Sequence, residues 1–422
     1  MTAPSVDSIG RRTLFRRGAR PVCLMAVLWV VLPAVALDGQ APVATLQQLT
    51  LDVGSPDAKV RRAALRALRE RGGPEALVLL AHLVGDPDLG IREGAIEVVI
   101  GLYVQPPAKR SMANAEDAFL LAPYRTTPYP PPTELTSALV KALADEYPSV
   151  RRDSAYAVGI VMRPPATSQA AFELTASLSD REPAVRKAAA QVLGRLGVLS
   201  AGVPLIGRIN DEVLDVRLAA MRAVGELRDD RAVPALTDQF AFYVRGVAGR
   251  TAIDALARIG SIQSRSLFES QIESGYPAHR QSAYEGLARM GGASAMLPRL
   301  MTALTAEKDR RVRLAIEFAL TSAGRPAVDG MIAALADRSL ADQALEYLVE
   351  LGQAHTTAIA SGLGDRDPVV REQLAIALGF IGGQEATAAL ASAASDESAD
   401  VRAAVSVAQL RLRQGSAHRA GS

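Results

Sequence analysis

The chain has 422 residues, and its 47 basic and 45 acidic side chains give a formal charge of +2. Residues 1–36 hold five Arg, one Asp and the single Cys, Cys23, so the remaining 42 basic and 44 acidic residues sum to −2. A body of that charge lacks the basic footprint of a nucleic-acid-binding protein, and a body without Cys excludes disulfides and a thiol nucleophile.

Residues 1–36 have the pattern of an export signal. An Arg-rich stretch precedes an apolar run from Pro21 to Leu37, and Ala34-Val35-Ala36 is a small-x-small site, which predicts cleavage after Ala36. The alternative is an uncleaved anchor that would touch the membrane through residues 22–37, although spanning segments usually need about 20 apolar residues. Both interpretations predict an exported protein of the periplasm or cell envelope.

Residues 37–102 begin a repetitive region. Its first unit carries KVRRAALRALRER over residues 59–71, with six basic residues and one acidic one. This stretch is typical of a solvated end cap, which repeat arrays require. A contact for anionic lipid or for an acidic partner is the alternative.

Residues 103–134 interrupt the repeats with seven Pro and with tyrosines that include Tyr124 and Tyr129. Proline at this density cannot continue a regular helix. The segment is therefore an insertion, and three interpretations stay open: a binding arm folded over a groove, a degenerate repeat, or a passive insertion.

Residues 135–413 contain the main repeat array, and residues 414–422 form a flexible tail. A slot that usually holds an apolar residue before an Arg recurs from Val185 onward every 28 to 33 residues, and Val60, Ile91 and Val150 occupy the same slot upstream. Eleven candidate units follow. A period near thirty residues with one helix pair per unit predicts an α-solenoid.

Each unit carries further helix signals. An Asp six residues before the Arg suits the turn that precedes a helix, Gly ends the second helix in seven units, and Pro opens several of the next helices. The Asp and Arg pairs are Asp86/Arg92, Asp145/Arg151, Asp180/Arg186, Asp211/Arg217, Asp365/Arg371 and Asp396/Arg402.

This unit resembles the HEAT repeat, in the short HEAT-like form also found in phycobilin lyases. The resemblance implies an all-α superhelix of about eleven two-helix repeats, in which the Asp and Arg residues form a structural ladder between neighbouring units. The pattern is broken at Ala248-Gly249, at Leu340-Ala341 and after Gly101, where the Arg or the closing Gly is missing.

The sequence offers no catalytic or metal-binding motif. The four His residues have no partner at helical ligand spacing, and none precedes a Glu, so the di-iron chemistry of a HEAT-repeat hydroxylase is not transferred. We therefore predict no metal, no cofactor and no enzymatic activity. A lyase- or hydroxylase-type enzyme, or an accessory subunit of one, is the alternative function.

The resemblance further implies that second helices line a concave face that binds partners. Residues three and seven places into each second helix would form a stripe along it, and a protein or peptide would bind there. The candidate binding residues are Arg152, Tyr156, Lys187, Gln191, Arg222, Asp254, Gln281, Glu285 and Phe318, with Tyr124 and Tyr129 from the insertion.

Overall fold

A computed structural model of the chain describes residues 44–104, 113–125, 130–291 and 293–420. The predicted signal segment and Tyr129 lie outside these residues. The described part contains 22 α-helices. They are α1 (Leu46–Val53), α2 (Ala58–Arg71), α3 (Gly73–Val84), α4 (Leu89–Tyr103), α5 (Ala115–Arg125), α6 (Thr133–Ala142), α7 (Pro148–Val161), α8 (Ser168–Ser177), α9 (Pro183–Arg195), α10 (Gly202–Arg208), α11 (Leu214–Glu226), α12 (Val233–Phe242), α13 (Val247–Ile259), α14 (Arg265–Gln271), α15 (Pro277–Arg289), α16 (Leu297–Ala306), α17 (Arg310–Ser322), α18 (Val328–Ala334), α19 (Ala341–Ser361), α20 (Pro368–Ile381), α21 (Gly383–Ser392) and α22 (Ala399–Ala420).

The helices form eleven consecutive pairs. α19 supplies a second helix before a kink at His355 and the first helix of the next pair after it, while α5 lies outside the pairing. Each second helix begins within two residues of the recurring slot, as α9 does before Val185 and α20 does before Val370. The predicted fold class, an all-α solenoid of about eleven two-helix units, is confirmed.

Local sequence explains where these helices begin and end. The side chains of Asp57 and Asp88 accept hydrogen bonds from backbone amides in the first turns of α2 and α4, which satisfies donors that the helix itself leaves free. Gly260 ends α13 with a left-handed φ of 67°, a conformation that costs other residues a steric penalty.

Small side chains let neighbouring second helices pack closely. The alanines at the centres of α9 and α11 are fully buried, and a Cβ placed on Gly194 would lie 2.8 Å from the Cα of Ala223. Such contacts bury each unit only against the next one, so the apolar core runs continuously along the array.

Two elements depart from this regular stacking. α5 belongs to the Pro-rich insertion and packs mainly on α7, in a segment for which the sequence left a binding arm, a degenerate repeat and a passive insertion open. α19 belongs to the unit that lacks the Arg after Leu340, and its side chains reach α13 and α15 rather than only α17. Both elements lie on the second-helix side of the array.

Candidate partner-binding face

The Asp and Arg residues of the ladder form ion pairs between neighbouring units. In the unit that begins with Asp180, the Arg186 guanidinium donates to the Asp180 carbonyl at 2.9 Å and binds both carboxylate oxygens of Asp211 in the next unit at 2.9 and 2.8 Å. Each Arg therefore braces its own turn and the following one. The same pairing joins Arg92 to Asp145, Arg151 to Asp180 and Arg371 to Asp396.

The ladder also contains ion pairs, and units that lack an ion pair, that the Asp/Arg pattern did not single out. Arg61 pairs with Asp86, and Arg280 pairs with Glu307. Arg217 donates only to the carbonyls of Asp211 and Glu212, because Tyr243 stands where the next unit would supply an acid. Asp365 is exposed and caps its own turn, since the unit before it has no ladder Arg.

At the other end of the array, Arg402 is exposed and donates to the carbonyls of Asp396 and Glu397. It belongs to the last of the eleven units in the described residues, and both of these carbonyls lie in its own turn. Where the ion pair between units is present, it affects ionisation. The hydrogen bonds that Arg371 donates to Asp396 hold the pKa of this carboxyl below its ordinary value, although partial desolvation acts in the opposite direction. The stabilising role of the ladder residues remains a prediction.

Ion pairs between distant units show which way the array curves. The Arg228 guanidinium lies 2.9 Å from a Glu350 carboxylate oxygen, although the two residues are 122 positions apart. Arg258 and Arg289 also pair with acids of α19, at 2.7 and 2.9 Å. Because these contacts join second helices across several units, the second-helix side is the concave side in this region, and we call it the inner face.

Helix α5 covers the inner face at α7 and α9. The Lys187 ammonium lies 2.7 Å from one carboxylate oxygen of Glu116, and the Gln191 amide donates to the same carboxylate at 3.2 Å. The Tyr156 hydroxyl in turn donates to Gln191 at 2.8 Å. Burial opposes ionisation of Glu116, but the bonds from Lys187 and Gln191 outweigh it and hold the pKa of its carboxyl below the ordinary value.

One turn further along α5, the Phe119 ring is buried in a seat on the same helices. Its centroid lies 5.3 Å from that of Tyr156, and the Arg195 guanidinium stacks 3.3 Å from it. Arg195 also donates to the Phe119 carbonyl. A Cβ on Gly159 would lie 2.6 Å from the ring, so the absence of a side chain there makes room for the aromatic ring.

Helix α19 covers the inner face at α15 and α17. Its Tyr347 hydroxyl donates to Glu285, which also accepts from Gln281 at 2.9 Å. The Phe318 ring stacks on that of Tyr347 with centroids 4.4 Å apart and planes inclined by 16°. This part of the predicted stripe is therefore filled by the chain itself.

Between the two covered stretches, the inner face is open. Arg222 on α11 is exposed, and Asp254 on α13 is half-buried and accepts a hydrogen bond from Ser282 at 2.5 Å. Beside the start of α5 lies a cavity of about 310 Å³ lined by Arg152, Asp153, Tyr156, Lys187 and Asp215. Arg152 itself forms an ion pair with Asp153 at 2.7 Å.

The predicted stripe thus contains two groups that other helices of the chain cover, and Arg222 lies on the open face between them. The structure brings Tyr156, Lys187 and Gln191 together under α5 and gathers Gln281, Glu285 and Phe318 beside α19. Exposure was expected of all of these residues, and it is wrong for Tyr156 and Phe318, each 1% exposed, because neighbouring aromatic rings cover them. Tyr124 belongs to α5, but its side chain lies outside the described part of the structure, as does all of Tyr129.

Sequence reasoning missed Glu116 and Phe119, which make the main α5 contacts. Their spacing of three residues on an amphipathic helix was the available signal. Within residues 44–104, 113–125, 130–291 and 293–420, no group of three His, Cys, Asp or Glu side chains could hold a metal ion. No helix in those ranges is long and apolar enough to cross a membrane.

Comparison with known proteins identifies the repeat. The family model described as HEAT repeats matches residues 35–103, 172–249, 245–321 and 328–411, well over half of the chain. No curated protein matches the sequence.

Similar solved structures include the complex of CpcE and CpcF of phycocyanin lyase from Nostoc sp. PCC7120, at 20% identity and a TM-score of 0.37, covering 73% of this chain and 98% of that one. Importin beta matches at 13% identity with a TM-score of 0.39, covering 85% of this chain and 56% of that one.

Proposed function

Because this chain belongs to the HEAT-repeat family, we propose that it is an exported scaffold that binds a protein or peptide along its inner face. A solenoid offers an extended concave surface on which many side chains can contact one partner. The negative balance of the mature body argues for a protein or peptide rather than a nucleic acid.

One observation carries this proposal. The inner face at α7 and α9 already holds a helical segment, α5, through an ion pair, an amide hydrogen bond and a buried aromatic ring. These are the contacts by which protein interfaces gain affinity and register: a desolvated aromatic anchor with polar groups around it. A surface that holds one peptide segment in this way has the chemistry to hold another.

The place of action is part of the same proposal. The Arg-rich start, the apolar run and the small-x-small site before Leu37 support export, with the repeat body working in the periplasm or cell envelope. An uncleaved segment would tether the same body to the membrane through residues 22–37.

The test is affinity capture from the native host's envelope with residues 37–422 as bait. Arg222→Glu reverses a charge on the open inner face, and Arg299→Glu is the matched control on the first helix α16, where 58% of the side chain is exposed. We expect Arg222→Glu to reduce recovery of the partner and Arg299→Glu to leave it unchanged. Equal recovery with both variants would place the partner elsewhere.

A further inference from the structure

We propose that the surface beneath α5 is a docking site for a partner helix that carries a carboxylate three residues before an aromatic ring, and that α5 occupies this site until such a helix displaces it. The inference rests on the proposed function and names the partner's chemistry. We call the surface formed by Tyr156, Gly159, Lys187, Gln191 and Arg195 the α5 seat.

The polar half of the seat selects an acid. Lys187 supplies a cation and Gln191 supplies an amide donor, and both converge on one carboxylate of Glu116. The Tyr156 hydroxyl bonds to the Gln191 carbonyl oxygen, which turns the Gln191 amide nitrogen toward the incoming carboxylate. A basic or neutral side chain at this position would leave the half-buried Lys187 without its closest acid.

The apolar half selects an aromatic ring. Phe119 is 2% exposed, with Tyr156 along one side and the Arg195 guanidinium on its face. The missing side chain at Gly159 leaves space that the ring fills, since a Cβ there would overlap the ring edge. Residues three apart lie on one face of a helix, so one helical turn presents both groups to the two halves of the seat.

The position of α5 argues that it is an occupant rather than a unit of the array. It lies outside the eleven helix pairs, and the ladder is continuous across the insertion, because Arg92 pairs directly with Asp145. The neighbouring units therefore keep their own contact without α5. A segment that is not needed to join its neighbours can leave its seat without breaking the solenoid.

The first experiment uses a fluorescent peptide of residues 113–125 and two forms of the chain. In one, Glu116→Lys and Phe119→Ala weaken the docking of α5; the other is unaltered. A tethered segment competes at an effective concentration on the order of 1 mM, so the peptide should bind the altered form at least about tenfold more tightly than the intact one. Equal affinity for the two forms would overturn the proposal.

A charge swap tests the chemistry of the seat. Adding Lys187→Glu to a chain in which a Gly/Ser linker replaces residues 106–131, and which therefore lacks α5, should weaken the peptide about tenfold, and a peptide with Glu116→Lys should recover that loss. A peptide with Phe119→Ala should fail to bind. Binding that ignores Lys187 and the ring would contradict the assigned partner class.

A second variant guards against misfolding. Replacing residues 106–131 by a Gly/Ser linker removes α5 without adding charge, and circular dichroism reports whether the remaining helices persist. We expect the helices to persist and the peptide to bind. Persistent helices with no peptide binding would overturn the proposal, and so would dimers of the intact chain formed by exchanging α5. Neither of these two results would change the dependence of partner capture on Arg222, so the proposed function is judged separately.

Discussion

Replacing Arg186 by Ala tests the ladder most sharply, because the next unit provides its control. Arg186 and Arg217 occupy the same slot and donate to two carbonyls of their own turns at the same distances, 2.9 and 3.3 Å. Only Arg186 also binds a carboxylate, that of Asp211, and the side chains of this pair are 7% and 2% exposed. The two substitutions therefore differ mainly by one buried ion pair.

The expected cost follows from that difference. Removing one partner of a buried ion pair costs about 3–5 kcal/mol, because the other charge stays buried. Arg208, at 3.5 Å from Asp211, offsets part of this cost, so Arg186→Ala should lie near the lower end of that range. Arg217→Ala loses bonds to carbonyls and the contact of its guanidinium with the Tyr243 ring, and we expect about 1–3 kcal/mol.

Urea unfolding followed by circular dichroism measures both variants. The double variant Arg186→Ala/Asp211→Ala should show coupling of up to about 3 kcal/mol, as contacting residues do. Hydrogen exchange should rise most in α9 and α11, because each repeat is stabilised by its immediate neighbours. If Arg186→Ala destabilises the chain no more than Arg217→Ala, the ion pair adds nothing and the ladder interpretation fails.

Three further predictions concern acid, packing and processing. Hydrogen bonds from Arg371 and Arg280 lower the pKa of Asp396 and Glu307. These two carboxylates therefore stabilise the fold fully above the unfolded carboxyl pKa of about 4, and this stabilisation is lost as the pH falls through their lower folded pKa values. A melting temperature that stays constant into acid would contradict this. Gly159→Ala should cost about 1–3 kcal/mol by crowding Phe119, whereas the control Gly101→Ala, with open space around it, should be neutral or stabilising by up to about 1 kcal/mol. Intact mass from the native host should give a chain beginning at Leu37, and a full-length species in the membrane fraction would establish the anchor instead.

The repeat could be predicted from sequence because its signals are local. An Asp, an apolar residue and an Arg at fixed offsets, followed by a closing Gly, specify a turn and a helix wherever they occur. Enough of this motif is kept in each unit to mark eleven slots, and the structure contains eleven helix pairs. Even the irregular unit at Leu340 was visible, since it lacks the Arg.

The covering of the inner face could not be predicted in the same way. Glu116 and Lys187 are 71 residues apart, and no periodic signal connects an insertion to the repeat on which it packs. The burial of Phe318 depends on α19 placing the Tyr347 ring against it. Helical spacing correctly put Phe318 on a second helix, but it could not show that another helix would close over it.

The central claim is that partners bind on the inner face, and site-specific photo-crosslinking tests it most directly. A photoreactive residue would replace Arg222 on the inner face in one form and Arg299 on the first-helix side in another, with both expressed in the native host. The account predicts a discrete protein adduct from position 222 and none from position 299. An adduct from position 299 alone would contradict it.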